Sequence, residues 1–270
     1  MDYQEFYQKK DSFASESELV EATYHFFNED SRLSGSKSAQ VEFLTTVRYI
    51  QRYLSPGDRI LDVGAGTGAY SLYFARKGYS VSALELTQRN IEIFRSKLTP
   101  QDPIDLQQGN AVDLSRYPDD AFDVVLVFGP LYHLHSMDDR KRCIREALRV
   151  CKPTGKLFFA FISNDMVFLT EFMYDPLYFT TGEYDRESFA QEPFPFVFHT
   201  VTQCRELLDA CGVKLLHQVA SDGISELLAQ QIDGLDDENF QRYLDYHNYI
   251  CEKPEFLGMS NHLLFVGEQT

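Results

Sequence analysis

The sequence predicts a doubly wound α/β fold built on a mostly parallel sheet, and three observations carry that expectation. Short apolar runs alternate with segments of helical period from Arg59 onward, a rhythm that implies parallel strands joined by right-handed crossovers. Phe122-Asp123-Val124-Val125-Leu126-Val127-Phe128 is apolar almost without interruption, as a strand covered on both faces must be. Arg59-Ile60-Leu61-Asp62-Val63 runs into Gly64-x-Gly66-x-Gly68 before the next helix. That strand, turn and helix suit a polar ligand held against backbone.

The first 55 residues read as helical. Ser15 and Glu18 make a capping box that opens a helix with Leu19, Thr23, Phe26 and Phe27 on one side. A polar loop from Asn28 to Gly35 leads to a second helix bearing Phe43 or Leu44, Val47, Ile50 and Leu54. Ser55-Pro56-Gly57-Asp58 ends it. After the strand and glycine turn, a helix from Tyr70 to Lys77 is closed by Gly78. Ser80–Glu85 is the second strand, and Thr87 caps a helix with Ile91, Phe94 and Leu98. Ile104–Gln108 is a weak strand and Phe122–Phe128 a strong one. Ser136 and Asp139 cap a helix carrying Ile144, Ala147 and Leu148, and Pro153-Thr154-Gly155 turns into strand Lys156–Ile162. Residues 164–200 break the rhythm and read as an inserted cap rich in Phe and Tyr. A helix from about Thr202 to Ala210, strand Val213–Val219, helical stretches over 224–232 and 237–250, and strand His262–Gly267 complete the chain.

The 270 residues suffice for a sizeable core, with no repeats and no low-complexity linker. No apolar run nears the roughly 20 residues that span a bilayer, and Met1-Asp2-Tyr3-Gln4-Glu5 lacks a secretory pattern. The five cysteines (Cys143, Cys151, Cys204, Cys211 and Cys251) form no C-x-x-C pair. Reduced thiols in a cytoplasmic protein are expected, and no metal site. A formal net charge of −16 opposes binding to phosphate backbones. The expected partners are a small-molecule substrate and a second copy in a homodimer, with neither nucleic acid nor membrane.

Glu85 ends the second strand about 20 residues beyond the glycine turn, where a carboxylate can accept from ribose hydroxyls. Turn and acid together indicate a nucleoside-containing cofactor without naming it. Gly64, Gly66 and Ala69 also fit the Gly-x-Gly-x-x-Ala form of a dinucleotide site, so an NAD-dependent oxidoreductase stays open on these residues.

Further residues sharpen the reading. Asp62-x-Gly64-x-Gly66-x-Gly68, Glu85-Leu86, Gly109-Asn110-Ala111-Val112-Asp113, the Asp123–Phe128 strand with Gly129-Pro130-Leu131-Tyr132-His133-Leu134, and Cys151–Lys156 follow one another in order. In that series, and in the late strands near Val213 and Leu264, residues 40–270 resemble the class I S-adenosylmethionine (SAM)-dependent methyltransferases. The resemblance implies a Rossmann-like sheet of seven strands, the last antiparallel, with SAM as cofactor. It implies SAM-binding roles for Asp62, Gly64, Ala65, Gly66, Gly68, Glu85, Leu86, Asn110, Ala111 and Phe128. Leu86 would pack on adenine, and Glu85 would take the ribose. Asn110 stands where the family often has Asp; its amide oxygen would accept from the adenine amino group, and the Ala111 N–H would serve a ring nitrogen. The regions become a helical lid (1–55), the SAM-binding core (56–163), the cap (164–200) and the remainder of the sheet with added helices (201–270).

Methyl transfer from a sulfonium is an in-line displacement, so the protein chiefly orients and excludes water. Oxygen and nitrogen acceptors often need a general base. His133, just beyond the fourth strand, is the expected catalytic residue, with His135 beside it as the second candidate. Tyr24, His25, Tyr132 and His199 are the expected substrate-binding residues. The lid falls either to the N-terminal helix with Tyr24, His25 and Phe27 or to Phe168, Phe172, Tyr174, Tyr178 and His199 of the insertion. Arg32 would pair with an anionic substrate. Gly129-Pro130-Leu131-Tyr132 lacks the leading Asn or Asp and the second Pro of amino-methylating nucleic-acid enzymes, and Asp123 starts its strand, unlike the metal ligands of catechol-type methyltransferases. A small-molecule methyltransferase is therefore expected, with a NAD enzyme or a SAM-binding regulator without transfer activity as alternatives.

Overall fold

The computed structural model describes residues 3–25, 27 and 29–270, with backbone only for Tyr3, Gln4 and Asp11. The expectation for Phe26 lies outside the described residues. Helices α1 (Tyr3–Gln8), α2 (Glu16–Thr23) and α3 (Lys37–Gln51) precede the first strand. Ser15 caps α2 by accepting from the Glu18 N–H, but Glu18 returns its own bond to the N–H of Ala14 rather than Ser15. Ser36 caps α3 in the same manner.

The core then alternates as the sequence predicts: β1 (Arg59–Val63), α4 (Ala69–Ala75), β2 (Ser80–Glu85), α5 (Gln88–Lys97), β3 (Ile104–Gln108), β4 (Phe122–Val127), α6 (Pro130–His133), α7 (Met137–Val150) and β5 (Cys151–Ser163). The inserted segment holds α8 (Asn164–Tyr174), α9 (Tyr178–Thr181) and the two-residue β6 (Phe198–His199). After it come α10 (Val201–Ala210), β7 (Val213–Ala220), α11 (Ala229–Asp233), α12 (Asp237–Ile250), α13 (Pro254–Leu257) and β8 (His262–Gln269).

The main sheet runs β3-β2-β1-β4-β5-β8-β7, with β6 paired to β5 off that path. Pairs β1–β2, β1–β4, β2–β3, β4–β5 and β5–β6 are parallel; β8 is antiparallel to both β5 and β7. This is the expected seven-stranded doubly wound sheet plus one short strand. The strand order reverses between β1 and β4, so a crevice opens at the carboxyl ends of those strands.

Alternate residues of the central strands feed two cores. Leu61, Val63, Val125 and Val127 pack with Ile144 and Ala147 of α7, while Ile60, Val124 and Leu126 pack with Ile50 of α3 and Phe74 of α4. Burial on both faces explains why β4 reads as an unbroken apolar run.

Three local expectations change. Gly129–Leu134 is not plain loop: Pro130, whose missing N–H suits a first helical position, starts the short α6. Pro153-Thr154-Gly155 lies inside β5, whose pairing with β4 shifts register between Phe122 and Val124. That irregularity is tight, since a Cβ on Gly155 would sit 2.6 Å from Cys151 Sγ and 2.8 Å from the Asp123 carbonyl. In 224–232 only Ala229–Asp233 is regular helix; turns fill the rest.

Candidate active site

The glycine turn is held by backbone. The N–H groups of Gly64 and Ala65 both donate to the Leu84 carbonyl, at 2.8 and 3.0 Å, and that of Gly68 to Ala65 at 2.9 Å. Gly64 has φ +78°, and a Cβ there would lie 2.7 Å from Pro130 Cδ and 2.8 Å from the Phe128 carbonyl. A side chain at Gly68 would enter the Phe94 ring, 2.4 Å away. The turn therefore needs glycine to pack closely against α5 and the segment after β4.

Beside the turn is a narrow cavity of about 60 Å³. Gly64, Glu85, Leu86, Asn110, Ala111 and His133 are among its walls. Glu85 is 4% exposed. Its Oε2 accepts from the Gly66 N–H at 2.8 Å, while Oε1 takes the Thr87 N–H, the Thr87 hydroxyl and the Asn90 amide. Burial raises its pKa despite those bonds. A carboxylate offers about four lone-pair directions, so Oε2 keeps one for a ligand. Asn110 Oδ1 accepts from the Val112 N–H at 3.1 Å, an Asx turn that also leaves it one acceptor direction.

Asp62 stands behind the turn, 1% exposed. Its Oδ2 accepts the Ser71 hydroxyl at 2.6 Å, and its Oδ1 has no partner among the described residues. Burial, partly offset by Ser71, lifts its pKa to about 6. Sequence reasoning missed Ser71, although its place one turn into α4 was visible.

The other side of the cavity is α2, through Glu16, Ser17, Val20 and Tyr24. Several contacts fasten this segment over the crevice. Glu16 accepts the N–H groups of His135 and Ser136 at 2.8 and 3.0 Å, ahead of α7. Glu21 accepts the Gln88 N–H at the start of α5, at 2.8 Å. Asp30 pairs with Lys97, and a Cβ on Gly66 would lie 3.4 Å from Glu29 Cγ. Of the two segments expected to cover the crevice, the N-terminal one lines this cavity.

His133 is 7% exposed, and its Nε2 lies 3.0 Å from the Tyr24 hydroxyl. The rings of Tyr24, Tyr132 and Phe196 surround it at 5.2–5.4 Å between centroids. Burial, reinforced by nearby His135, drives its pKa down to about 3. The imidazole is neutral at pH 7, so its Nε2 accepts from Tyr24 or, in the other tautomer, donates to it. Tyr132 faces the same partition, with its ring 6.1 Å from Phe196. Phe128 packs edge-on against Tyr70 at 4.9 Å, behind the turn and not among the cavity walls.

Two expected substrate ligands lie elsewhere. His25 is exposed and meets Arg89 at 3.1 Å. His199 is 3% exposed, sits 2.7 Å from Arg140 and borders a separate cavity with Met137 and Phe198. Neither lines the α2 cavity, because β6 carries His199 toward α7 and the end of α2 turns His25 outward. Arg32 is not free for an anionic substrate: it donates to Glu29 at 3.1 Å and to Glu42 at 2.6 Å.

Glu42 also belongs to a group with Asp222 and His262 whose ligand atoms lie within 4.8 Å of one another. Here the cations are protein groups. Burial would lower the His262 pKa, but Glu42 and Asp222 outweigh it and raise it to about 9. The His262 Nδ1–H donates to Asp222 at 2.7 Å, so His262 and Arg32 balance the two carboxylates.

A second, larger cleft of about 570 Å³ lies beyond the Phe196 ring, between the inserted segment, Phe27, and Asn261-His262. Phe168, Phe172 and Tyr174 of the insertion are not among the walls of that cleft: Phe168 packs on Tyr184 at 4.8 Å, Phe172 on Phe179 at 5.2 Å, and the Tyr174 hydroxyl donates to Glu226, while Tyr178 does line it. All five cysteines are free thiols, four of them buried. Among the described residues no helix is long and apolar enough to cross a membrane.

Comparison with known proteins adds to this geometry. Residues 61–159 match the family model described as a methyltransferase domain. A demethylmenaquinone methyltransferase of Clavibacter sepedonicus is 34% identical over 120 residues, 44% of this chain and 47% of that protein. The chain thus spans about half the length of that relative. The putative methyltransferase YqeM of Bacillus subtilis (strain 168) is 28% identical over 206 residues, 65% of this chain and 81% of that one. Among solved structures, the PH0226 protein of Pyrococcus horikoshii OT3 superposes with a TM-score of 0.60 at 16% identity, covering 92% of this chain and 99% of that one. These matches decide between the SAM and NAD readings that the glycine turn left open. Residues 61–159 thus match a methyltransferase domain, set in a fold shared with solved SAM-dependent methyltransferases.

Proposed function

We propose that this protein transfers a methyl group from SAM to a small-molecule acceptor by in-line displacement. The observation that carries the proposal is the enclosed cavity formed by Gly64, Glu85, Leu86, Asn110 and Ala111 at the carboxyl ends of the strands, lined on its open side by α2. Bound there, SAM supplies a methyl group already activated on a sulfonium.

The residues fit that group. Glu85 keeps one acceptor direction for a ribose hydroxyl, held in place by its bonds to Gly66 and Thr87. Leu86 offers an apolar wall to a base, and Asn110 with Ala111 offers an acceptor and a donor at its edge. Asp62, buried with Oδ1 unpartnered, places negative charge behind the turn and favours a cationic ligand. α2 excludes water from the site, which strengthens each of these interactions.

His133 faces this cavity, and we keep it as the acting residue near the acceptor. With a pKa near 3, it takes up a proton at Nε2 once Tyr24 yields that nitrogen, or at the unpartnered Nδ1 when Nε2–H donates to Tyr24. Its resting role is to fix Tyr24 and orient the acceptor. That same occupied nitrogen favours the second reading, a SAM-binding regulator without transfer activity. The −16 charge supports a partner other than nucleic acid, and the free thiols support a cytoplasmic setting.

Calorimetry with SAM, its demethylated product S-adenosylhomocysteine and NAD tests the donor site; binding of NAD alone would overturn the reading. Methyl transfer to members of a metabolite library separates enzyme from regulator. With a true acceptor, His133→Ala is expected to lower turnover at least tenfold. Full turnover of that variant at every pH would remove His133 from the chemistry.

A further inference from the structure

We propose that the large cleft beyond Phe196 takes a cationic, amine-bearing acceptor; this rests on the methyltransferase reading above. Five carboxylates border the cleft, from Glu171, Asp175, Glu183, Glu192 and Glu226, together with His262 but neither Lys nor Arg. His262 is already committed to Glu42 and Asp222, and Lys10 answers Glu192 alone, at 3.0 Å. Glu226 receives only neutral donors, the Tyr174 hydroxyl and the Asn261 amide. Glu171 and Glu183 have no ion-pair partner among the described residues.

One-signed charge along a concave wall concentrates its field in the cavity. Burial and the neighbouring carboxylates of Glu226 and Asp175 raise the pKa of Glu171, so these groups repel one another. A cation between them relieves that repulsion, whereas a carboxylate or phosphate acceptor would add to it. Aromatic faces accompany the acids: Phe27, Tyr178, Phe196 and Phe198 all line the cleft, and such faces attract ammonium groups.

A second, independent feature points to a ligand. Gln191 is 9% exposed in the cleft wall, and its Oε1 accepts the Tyr178 hydroxyl at 2.6 Å. Its Nε2 has no partner among the described residues. A buried amide donor left unpaired is costly, and a turn of the Gln191 side chain toward the cleft would pair it with a hydroxyl or carbonyl oxygen of the acceptor. Phe196 stands 5.2 Å from His133, so a molecule seated here abuts the partition of the SAM cavity, and its amine reaches the methyl group only when the Phe196 ring swings aside.

The test needs no turnover. Calorimetry on the full chain, with S-adenosylhomocysteine present, compares phenethylamine with its neutral analogue 2-phenylethanol and its anionic analogue phenylacetate. The amine is expected to bind at least tenfold tighter than either, and to weaken as salt rises. Glu171→Gln and Glu183→Gln, both at exposed positions, are each expected to weaken the amine about three- to tenfold and to leave 2-phenylethanol unchanged. Circular dichroism verifies that both variants are folded. Equal binding of the three probes, binding of none, or amine affinity indifferent to both variants overturns the inference. Failure of S-adenosylhomocysteine to bind would instead overturn the methyltransferase reading, so the two failures are distinguishable.

Discussion

The SAM cavity and the cleft behind Phe196 lie back to back, yet they are made of different material. The first is small, about 60 Å³, and its critical surfaces are glycine backbone and strand ends. The second is about 570 Å³ and is formed by side chains from α1, the insertion, β8 and the turn after β7. Backbone-built sites tolerate no added atoms, whereas side-chain-built sites change by degrees.

Gly64→Ala strikes the backbone-built site directly. Its methyl would meet Pro130 Cδ at 2.7 Å and the Phe128 carbonyl at 2.8 Å, at φ +78°. A loss of about 3 kcal/mol of stability is expected, together with at least a tenfold loss of S-adenosylhomocysteine affinity, read by denaturant unfolding and calorimetry. Gly57→Ala is the control: φ is +90°, but nothing lies within 4 Å. It should cost about 1 kcal/mol and leave donor binding intact. Equal losses at the two positions would end the claim that close backbone packing makes the cavity.

The cleft wall responds to pH instead. His262 has a folded pKa raised to about 9, so its contribution to stability is complete below the unfolded value of about 6.5 and disappears as pH rises through 9. On the order of 2 kcal/mol should be lost across that window. His262→Gln should flatten the slope. On the acid side, His133 and His199 have folded pKa values lowered to about 3 and 4. Their contribution is present above about 6.5 and is lost as pH falls. Stability greater at pH 9 than at pH 7 would contradict the assignment of a charged His262.

The same division explains what the sequence alone disclosed. Strands Arg59–Val63, Ser80–Glu85 and Ile104–Gln108 have the bounds expected of them, because turn residues mark their ends and β4 displays the unbroken apolar run of a doubly covered strand. The glycine turn, Glu85 and Asn110 are local motifs, so this wall of the α2 cavity was visible. The contacts that complete the site join distant segments: Tyr24 to His133, Glu16 to His135, and Glu42 through His262 to Asp222. No periodicity encodes such pairs. His25 and His199 were expected at the acceptor because their residue type suits it, but helix phase and the β6 pairing send them elsewhere. Even at Glu85 a local fact was missed: Thr87 both caps α5 and donates to the carboxylate.

Tyr24→Phe examines the partition between the two cavities. The change removes the hydroxyl 3.0 Å from His133 Nε2 and keeps the ring. Both nitrogens of a buried neutral imidazole would then lack partners, since Nδ1 already has none among the described residues. A cost of about 1 kcal/mol is expected in denaturant unfolding, with S-adenosylhomocysteine affinity changed by no more than about threefold. A stability gain would show that the Tyr24–His133 contact is unfavourable.

The smallest effect belongs to Asn110→Asp. Asn110 lies in the wall of the SAM cavity, where its Oδ1 accepts from the Val112 N–H at 3.1 Å. Aspartate preserves that acceptor, and with it the Asx turn that presents the Ala111 N–H. Its charge faces a half-exposed position, where solvent screens most of the added energy. S-adenosylhomocysteine affinity should stay within about threefold, by calorimetry, and stability within about 0.5 kcal/mol. Asn110→Ala removes the turn's acceptor and should cost about 1 kcal/mol, with a larger loss of affinity than the Asp variant shows. If Asp and Ala weaken binding equally, the site reads the amide N–H₂ and not the oxygen, and the adenine contact assigned to Asn110 has its donor and acceptor reversed.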